Sequence, residues 1–107
     1  MIKVIDGKRY NTDTAEHVLG HSNGHFSSDF KYRSKDLYRT NKGAWFLHHE
    51  GGALSDMAVS ISGGSEGSSS IEPVTDDDAF GFLQAHSDDS KSQEAIDTHF
   101  ADRIEEA

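Results

Sequence analysis

The residues with the most chemistry to offer in this 107-residue chain are its carboxylates, 19 in number against ten lysines and arginines. They are unevenly spread. Residues 1–50 hold eight basic and six acidic residues, a balance of +2, whereas residues 51–107 hold two basic and thirteen acidic residues, a balance of −11. A surface of that sign repels phosphate and attracts a basic groove on another protein. Solubility, or adaptation to a salty cytoplasm, explains the same bias without any partner.

Ten of the acidic residues fall in the predicted C-terminal helices and their connections. The run at 76–78 follows Thr75, a predicted helix N-cap, and acids in a first turn are stabilised by the helix dipole, which is a sufficient structural explanation. The functional interpretation is that carboxylates on adjacent helices imitate a row of phosphates and occupy a nucleic-acid-binding groove. The candidate partner-binding residues are Asp76, Asp77, Asp78, Asp88, Asp89, Glu94, Asp97, Asp102, Glu105 and Glu106.

Histidine is the second residue type that suggests chemistry, with seven copies in the chain. His17, His21 and His25 are four residues apart, the interval that stacks metal ligands on one face of a helix. Intervening glycines weaken such a helix, and the adjacent histidines at 48–49 point to opposite sides of a predicted strand. We therefore expect surface or core histidines and no metal site.

Motifs for catalysis are missing from the sequence. The chain has no cysteine, which excludes disulfides, thiolate nucleophiles and zinc–thiolate sites. No serine lies in a G-x-S-x-G elbow, and the glycines at 63, 64 and 67 lack the lysine of a phosphate-binding loop. We predict a protein that is not an enzyme and has no cofactor.

Membrane and export signals are also missing from the sequence. No apolar run approaches the roughly 18 residues of a membrane span, and the N-terminal residues lack the apolar core of a signal peptide. We expect the protein in the cytoplasm of a host cell.

The clearest predicted element is a β-hairpin. Residues 37–40 and 44–49 flank Asn41-Lys42-Gly43, and an Asn-x-Gly tip suits a three-residue turn with positive φ at the glycine. The second strand carries Trp45 on one face and Phe46 on the other, so it is expected to be central and covered on both sides.

The N-terminal segments predict shorter elements. Residues 2–5 and 8–10 are expected to be two strands joined at Asp6-Gly7. A capping-box-like pattern at 13–16 predicts a helix that ends at Gly20. The loop expected after it covers 21–35, with Phe26, Phe30 and Tyr32 as aromatic anchors.

The C-terminal half predicts helices separated by a polar segment. A short helix is expected at 53–60, followed at 62–70 by a flexible Ser/Gly connector too polar to order itself. An extended stretch at 71–74 leads into a helix from Thr75 to about Ala85. The last helix is expected from about Ser92 to Glu105, with Ile96, Phe100 and Ile104 recurring every four residues on its buried face.

These elements together predict one α+β domain over residues 1–107. We expect a small antiparallel sheet centred on the β-hairpin, with helices packed on it and an acidic helical C-terminal half.

Three stretches of the chain resemble a family of small, largely uncharacterised proteins of phages and mobile elements. They are IDGKRYNTDTA at 5–15, LYRTNKGAWFL at 37–47 and EGG at 50–52, and the ending from Ile96 to Ala107 looks like that family's acidic tail helix. The resemblance covers nearly the whole chain. This chain departs from the pattern in its Ser/Gly segment, its His-rich segment 17–25 and the length before the last helix.

The resemblance implies a setting in which small acidic accessory proteins often inhibit host defence, anti-CRISPR proteins among them. The expected function is a stoichiometric inhibitor of a host defence complex whose acidic surface imitates DNA. Its expected partner is a protein with a basic nucleic-acid-binding groove, such as a CRISPR effector subunit, with no direct contact to nucleic acid or membrane.

Two other functions stay open at this point. One is a nucleic-acid-binding accessory protein of a mobile element that uses the basic hairpin. The other is a metal-dependent enzyme that uses the histidines. The basic hairpin residues are Lys31, Tyr32, Arg33, Ser34, Lys35, Arg39 and Lys42.

Overall fold

The computed structural model describes residues 1–26 and 28–107 and has the predicted α+β architecture. Its described part contains eight strands and two α-helices. In chain order they are β1 (Ile2–Ile5), β2 (Lys8–Asn11), β3 (Glu16–Ser22), β4 (Arg33–Arg39), β5 (Trp45–Gly51), β6 (Val59–Ile61), β7 (Gly64–Glu66), β8 (Ser68–Val74), α1 (Asp76–Ala85), α2 (Ser90–His99) and a 3₁₀ turn (Ala101–Arg103).

The central sheet is antiparallel with the strand order β3-β4-β5-β8. Its middle is the predicted hairpin, in which Leu37 of β4 pairs with Leu47 of β5. The turn residue Gly43 has φ +88°, a value that residues with a Cβ rarely adopt. The prediction of the hairpin and of its glycine is confirmed.

Both faces of this sheet are covered, because adjacent residues of β5 point in opposite directions. Trp45 is 4% exposed and stacks on Phe100 of the helical side, with ring centroids 5.5 Å apart. Phe46 is fully buried and meets Tyr10 of β2 edge to face at 5.5 Å. Burying a side chain of this size stabilises the fold by about 1.5–3 kcal/mol. The core on the helical side consists of Leu19, Leu37, Trp45, Ala79, Leu83, Ala95, Ile96 and Phe100, and that on the other side of Tyr10, Phe46 and Ile71.

Helix α1 matches the helix predicted from Thr75 to about Ala85. Thr75 is the N-cap of α1: its hydroxyl accepts from the Asp78 amide at 3.1 Å, and the Asp78 carboxylate accepts from the Thr75 amide at 3.3 Å. This capping box supplies acceptors to two of the backbone N–H groups that a helix start leaves unpaired.

The last helix begins near its predicted start and ends six residues early. It runs over Ser90–His99, and Phe100 is its C-cap. Carboxylates oppose the dipole at a helix C-terminus, and the next residues are rich in them. The chain instead forms a 3₁₀ turn, and Ile104, predicted on the buried face, is 46% exposed.

The helix predicted from Asp13 to Gly20 is wrong, since these residues lead into strand β3. The register slips between His17 and Leu19, so Val18 is an extra residue in the ladder. Val18 and Leu19 therefore both pack toward the helical side. Because of the bulge, Val18 and Leu19 do not alternate between the two faces of the sheet. In the sequence, two adjacent apolar residues of this kind resemble the buried face of a helix. Leu19 is buried opposite Leu37.

The helix predicted at 53–60 and the connector predicted at 62–70 are also wrong. Residues 59–66 form the β6–β7 hairpin, and β8 begins at Ser68 and pairs with the whole of β5. Serine hydroxyls supply the order that apolar burial does not: Ser65 donates to the Ala53 carbonyl at 3.0 Å. Gly67 is needed for close approach, because a Cβ there would lie 2.3 Å from the Gly51 carbonyl oxygen.

Of the three aromatic residues expected to anchor the 21–35 segment, only Tyr32 is partly buried. Phe26 is 84% exposed and Phe30 is 66% exposed, whereas Tyr32 is half-buried. The segment is also shorter than expected, since β3 extends to Ser22 and β4 starts at Arg33. Within the described residues, neither helix has the length or the apolar content to cross a bilayer.

Candidate functional site

The candidate site is the helical layer, by which we mean residues 75–107. It holds ten acidic and two basic residues, a balance of −8, whereas residues 1–74 hold nine acidic and eight basic residues, a balance of −1. Almost all of the net charge of −9 thus lies on one side of the central sheet. Every one of the ten predicted acidic residues is exposed.

Three of these acids have partners inside the chain. Asp78 completes the capping box of α1, and Asp89 caps α2 by accepting from the Lys91 amide at 2.9 Å. Asp77 accepts from the Arg103 guanidinium at 2.6 Å. Their positions have a structural explanation, because each stabilises a helix end or ties the tail to α1.

The other seven acids make no side-chain hydrogen bond or ion pair with any described residue. Uncompensated carboxylates contribute a negative potential and little to folding. They are the acids free to meet a partner. They are Asp76, Asp88, Glu94, Asp97, Asp102, Glu105 and Glu106.

The two helices distribute these acids over the length of the layer. The Asp77–Arg103 contact brings the start of α1 beside the tail that follows α2, so acids at 76–78 and 102–106 share one end. Asp88 and Asp89 lie in the connection at the opposite end of α1. A ten-residue helix is about 15 Å long, which sets the minimum span of the acidic surface.

A groove with a mixed lining of three apolar and five polar or charged residues, which we call the helix groove, interrupts the acidic surface, and the sequence did not predict it. Phe80 of α1, Ile96 of α2 and Ile104 of the tail line a cavity of about 520 Å³. Arg103 lies over the rings of Phe80 and Phe100, at 5.9 Å and 5.4 Å from their centroids. The four-residue spacing that ends at Ile104 was the available signal, but it predicted burial instead of a groove.

The histidines other than the stacked pair His21 and His86 have separate structural surroundings. His49 is nearly buried and uses both ring nitrogens: Nδ1 accepts from Arg33 at 2.9 Å, so Nε2 must be the nitrogen that donates to Glu72 at 2.8 Å. No lone pair remains on it for a metal. His17 meets Asp36 at 2.8 Å, and no cluster of three or more metal-ligating side chains occurs in the described residues.

One histidine has a shifted pKa. Burial, with smaller contributions from His21 and Lys35, lowers the pKa of His86, and the Asp88 and Asp89 carboxylates oppose this. The His86 ring stacks on that of His21 at 4.1 Å, where the end of α1 meets β3. Burial therefore favours the neutral form of His86, and the stacked pair holds the helical layer against the edge of the sheet.

The predicted basic hairpin is divided among different surroundings. Arg33 donates to Asp56 at 2.7 Å as well as to His49, and this bond lowers the pKa of the Asp56 carboxyl. Arg39 lies over the Trp45 ring at 5.7 Å. Lys42 is at the turn, beyond the opposite end of β4 from Arg33. These residues do not come together as one basic patch.

The chain matches no protein-family model, no curated protein and no solved structure.

Proposed function

We propose that this protein is a stoichiometric inhibitor of a host defence complex, of the anti-CRISPR type, whose helical layer occupies a basic nucleic-acid-binding groove. The observation that carries the proposal is the surplus of seven exposed carboxylates that have no partner among the described residues. The protein would compete with nucleic acid for the groove, with no turnover and no cofactor. Its place of action would be the cytoplasm of the host cell.

The distribution of charge supports a decoy more than a generally soluble surface. Acidity that serves only solubility has no reason to concentrate on one layer, yet residues 1–74 have a balance of only −1. Carboxylates fixed on two packed helices attract a basic groove through the same electrostatic field by which DNA attracts it.

The apolar residues of the helix groove support docking because charge alone gives little affinity. Interfaces derive most of their binding energy from a few desolvated aromatic, aliphatic or arginine anchors surrounded by polar residues. Phe80 and Ile104 share the groove with Arg103, Glu105 and three neutral polar residues, which matches that arrangement. In the proposal they form the centre of the contact and the seven acids form its rim.

The test neutralises acids that have no folding role. We expect the triple variant Asp88→Asn, Glu94→Gln and Asp97→Asn to raise the concentration for half-inhibition about tenfold or more, since close charge pairs across an interface contribute about 1.5 kcal/mol or more each. The measurement is binding of a labelled target duplex by a purified RNA-guided effector of the host, titrated with this protein. Wild-type inhibition should saturate near one molecule per effector.

A matched control has the same change of charge outside the helical layer. Asp13→Asn, Glu50→Gln and Glu66→Gln remove three negative charges from the sheet region and should leave inhibition within about twofold of wild type. If both triple variants lost inhibition equally, the effect would be due to net charge and not to the acidic surface of the helical layer. Unchanged inhibition in the helical-layer variant would remove the acidic surface from the mechanism.

The alternative, a nucleic-acid-binding accessory protein, has less support from the basic hairpin. Arg33 is engaged by Asp56, and Arg39 lies over Trp45. Lys31, Lys35 and Lys42 are left, and Lys42 lies beyond the opposite end of β4 from the other two, so they do not form a row along one surface. A mobility shift with duplex DNA at low salt separates the two functions, because the decoy should produce no shift.

A further inference from the structure

A cavity of about 580 Å³ lies on the other side of the molecule from the helix groove, between two turns. One turn joins β1 to β2 at Asp6-Gly7, and the other joins β4 to β5 at Asn41-Lys42-Gly43. Packing of Tyr10 against Phe46 brings the two hairpins together. We call this cavity the turn cleft; its lining residues are Gly7, Lys8, Arg9, Tyr10, Asn11, Thr14, Thr40, Asn41, Lys42 and Ala44.

The lining of the turn cleft is basic in a protein that is strongly acidic. Lys8, Arg9 and Lys42 contribute three positive charges, and no carboxylate lines the cleft. The nearest acids along the chain are Asp6 and Asp13, which adjoin lining residues without lining the cleft. The cleft is therefore a local positive field within a molecule of net charge −9.

The basic side chains of the cleft are not used by the fold. None of the ion pairs among the described residues involves Lys8, Arg9 or Lys42. Lys8 shares a face of β2 with the buried Tyr10 and so projects toward the sheet, while Arg9 alternates to the outer side. Lys8 and Arg9 therefore enter the lining from opposite faces of β2, and Lys42 enters it from the facing turn.

Neutral donors accompany these charges. In the described structure, the amides of Asn41 and Lys42 donate to no protein acceptor. The Asn11 side-chain oxygen accepts from the Asp13 amide at 2.9 Å, which leaves its NH₂ group as a donor. Cationic side chains and backbone N–H groups around one cavity are the combination that holds phosphate oxygens.

We propose that the turn cleft is a binding site for a small phosphorylated ligand, held by Lys8 and Lys42. A cavity of this volume has the size of small-molecule sites. Three bases concentrated in one concavity suit a compact anion, whereas binding along a nucleic-acid backbone requires a row of bases across a surface. The site is separate from the helical layer, so it does not depend on the proposed inhibitor function.

The acidic layer does not prevent anion binding in the cleft. The helices pack on the face of the sheet that carries Trp45, and the β1–β2 hairpin packs on the face that carries Phe46. At physiological ionic strength the Debye length is about 8 Å, so charges across the sheet are largely screened from the cleft. At low salt this screening is weaker, so the acidic layer should repel anions more strongly. The affinity of the cleft for anions should then be lower than that of a variant without the acidic layer.

The probe for the test is inorganic pyrophosphate, titrated in chloride buffer and followed by calorimetry and by NMR shifts of the Gly7 and Gly43 amides. We expect one saturable site on the full chain. The double variant Lys8→Gln and Lys42→Gln should weaken binding at least about tenfold, the usual effect of losing charge-assisted hydrogen bonds. The matched double variant Lys31→Gln and Lys91→Gln changes the charge equally at exposed positions outside the cleft and should stay within about twofold.

The outcomes separate this site from the other surfaces. Absence of saturable pyrophosphate binding, or equal weakening in both double variants, would overturn the proposal. Duplex DNA binding that pyrophosphate displaces would overturn it in favour of a nucleic-acid surface that includes the cleft. The helical-layer triple variant should bind pyrophosphate at least as well as wild type, so failure of the inhibitor proposal and failure of this one give different results.

Discussion

The two covers of the central sheet use the same kind of core and present opposite charge. The helical layer is seated on Trp45 and has a balance of −8, while the β1–β2 hairpin is seated on Phe46. Residues 1–11 of that hairpin hold three bases and one acid, a balance of +2. Packing thus leaves the outer surfaces free to differ, and the difference in function that we propose lies entirely in those surfaces.

The comparison also separates structural charge from surplus charge. In the helical layer, Asp78 and Asp89 cap helices and Asp77 holds the tail, so these acids would be favourable in a protein without any partner. In the turn cleft, the bases at 8, 9 and 42 have no such duty among the described residues. Charge that the fold does not use is the better indicator of a binding surface.

The largest expected effect is the loss of the core under the hairpin. Phe46→Ala should lower the free energy of unfolding by about 3–5 kcal/mol, because it empties a fully buried site between Tyr10 and Tyr38. Urea unfolding measures the loss, and hydrogen exchange locates it. Amides of β1 and β2 should lose protection before those of α1. Equal loss of protection in the β1–β2 hairpin and in the helical layer would contradict the division of the core into two independent sides.

A smaller effect is expected from the contact that joins the two helices. The Ser92 hydroxyl is fully buried and donates to the Leu83 carbonyl of α1. Ser92→Ala leaves that carbonyl with only the 3.3 Å bond from the His86 amide and should cost about 1 kcal/mol in urea unfolding. Ser90→Ala, at an exposed position of the same helix, should change stability by no more than about 0.5 kcal/mol. Equal effects would mean that the bond contributes nothing.

The smallest expected effect is a pH dependence of the helical layer. The pKa of His86 is lowered in the folded state, so the unfolded chain binds more protons near the ordinary histidine value of 6.5. The stabilisation is present above that value and is lost as the pH falls below it. Urea unfolding across the pH range should show that His86→Phe reduces this slope. The exposed variant His25→Gln should retain the slope, and an unchanged slope in His86→Phe would exclude His86 as its source.

The elements that the sequence predicted correctly are those with local causes. The β4–β5 hairpin follows from its Asn-x-Gly turn, and α1 begins at Thr75 because the cap and the acids act within one turn. The elements predicted wrongly depend on distant partners. Leu19 is in a strand because Leu37 lies opposite it, and the serines near 65 are ordered by carbonyls about a dozen residues earlier.

The candidate site divides in the same way. All ten predicted acids are exposed. This result is expected from their charge alone, because acidic side chains are rarely buried. Sequence reasoning did not identify the groove at Phe80 and Ile104, because it depends on where α2 ends. It also treated Lys42 as part of the 31–42 basic segment, whereas the structure places it beside Lys8.

By itself, the sequence determined which residues carry charge, where α1 and the β4–β5 turn begin, and that the acids concentrate after residue 74. These are properties of neighbouring residues and need no knowledge of the rest of the chain. Only the tertiary structure decided which charges remain unpaired and which distant residues share a cavity. Those outcomes depend on register, on a bulge at Val18 and on the packing of a hairpin against Phe46, and no local pattern records them.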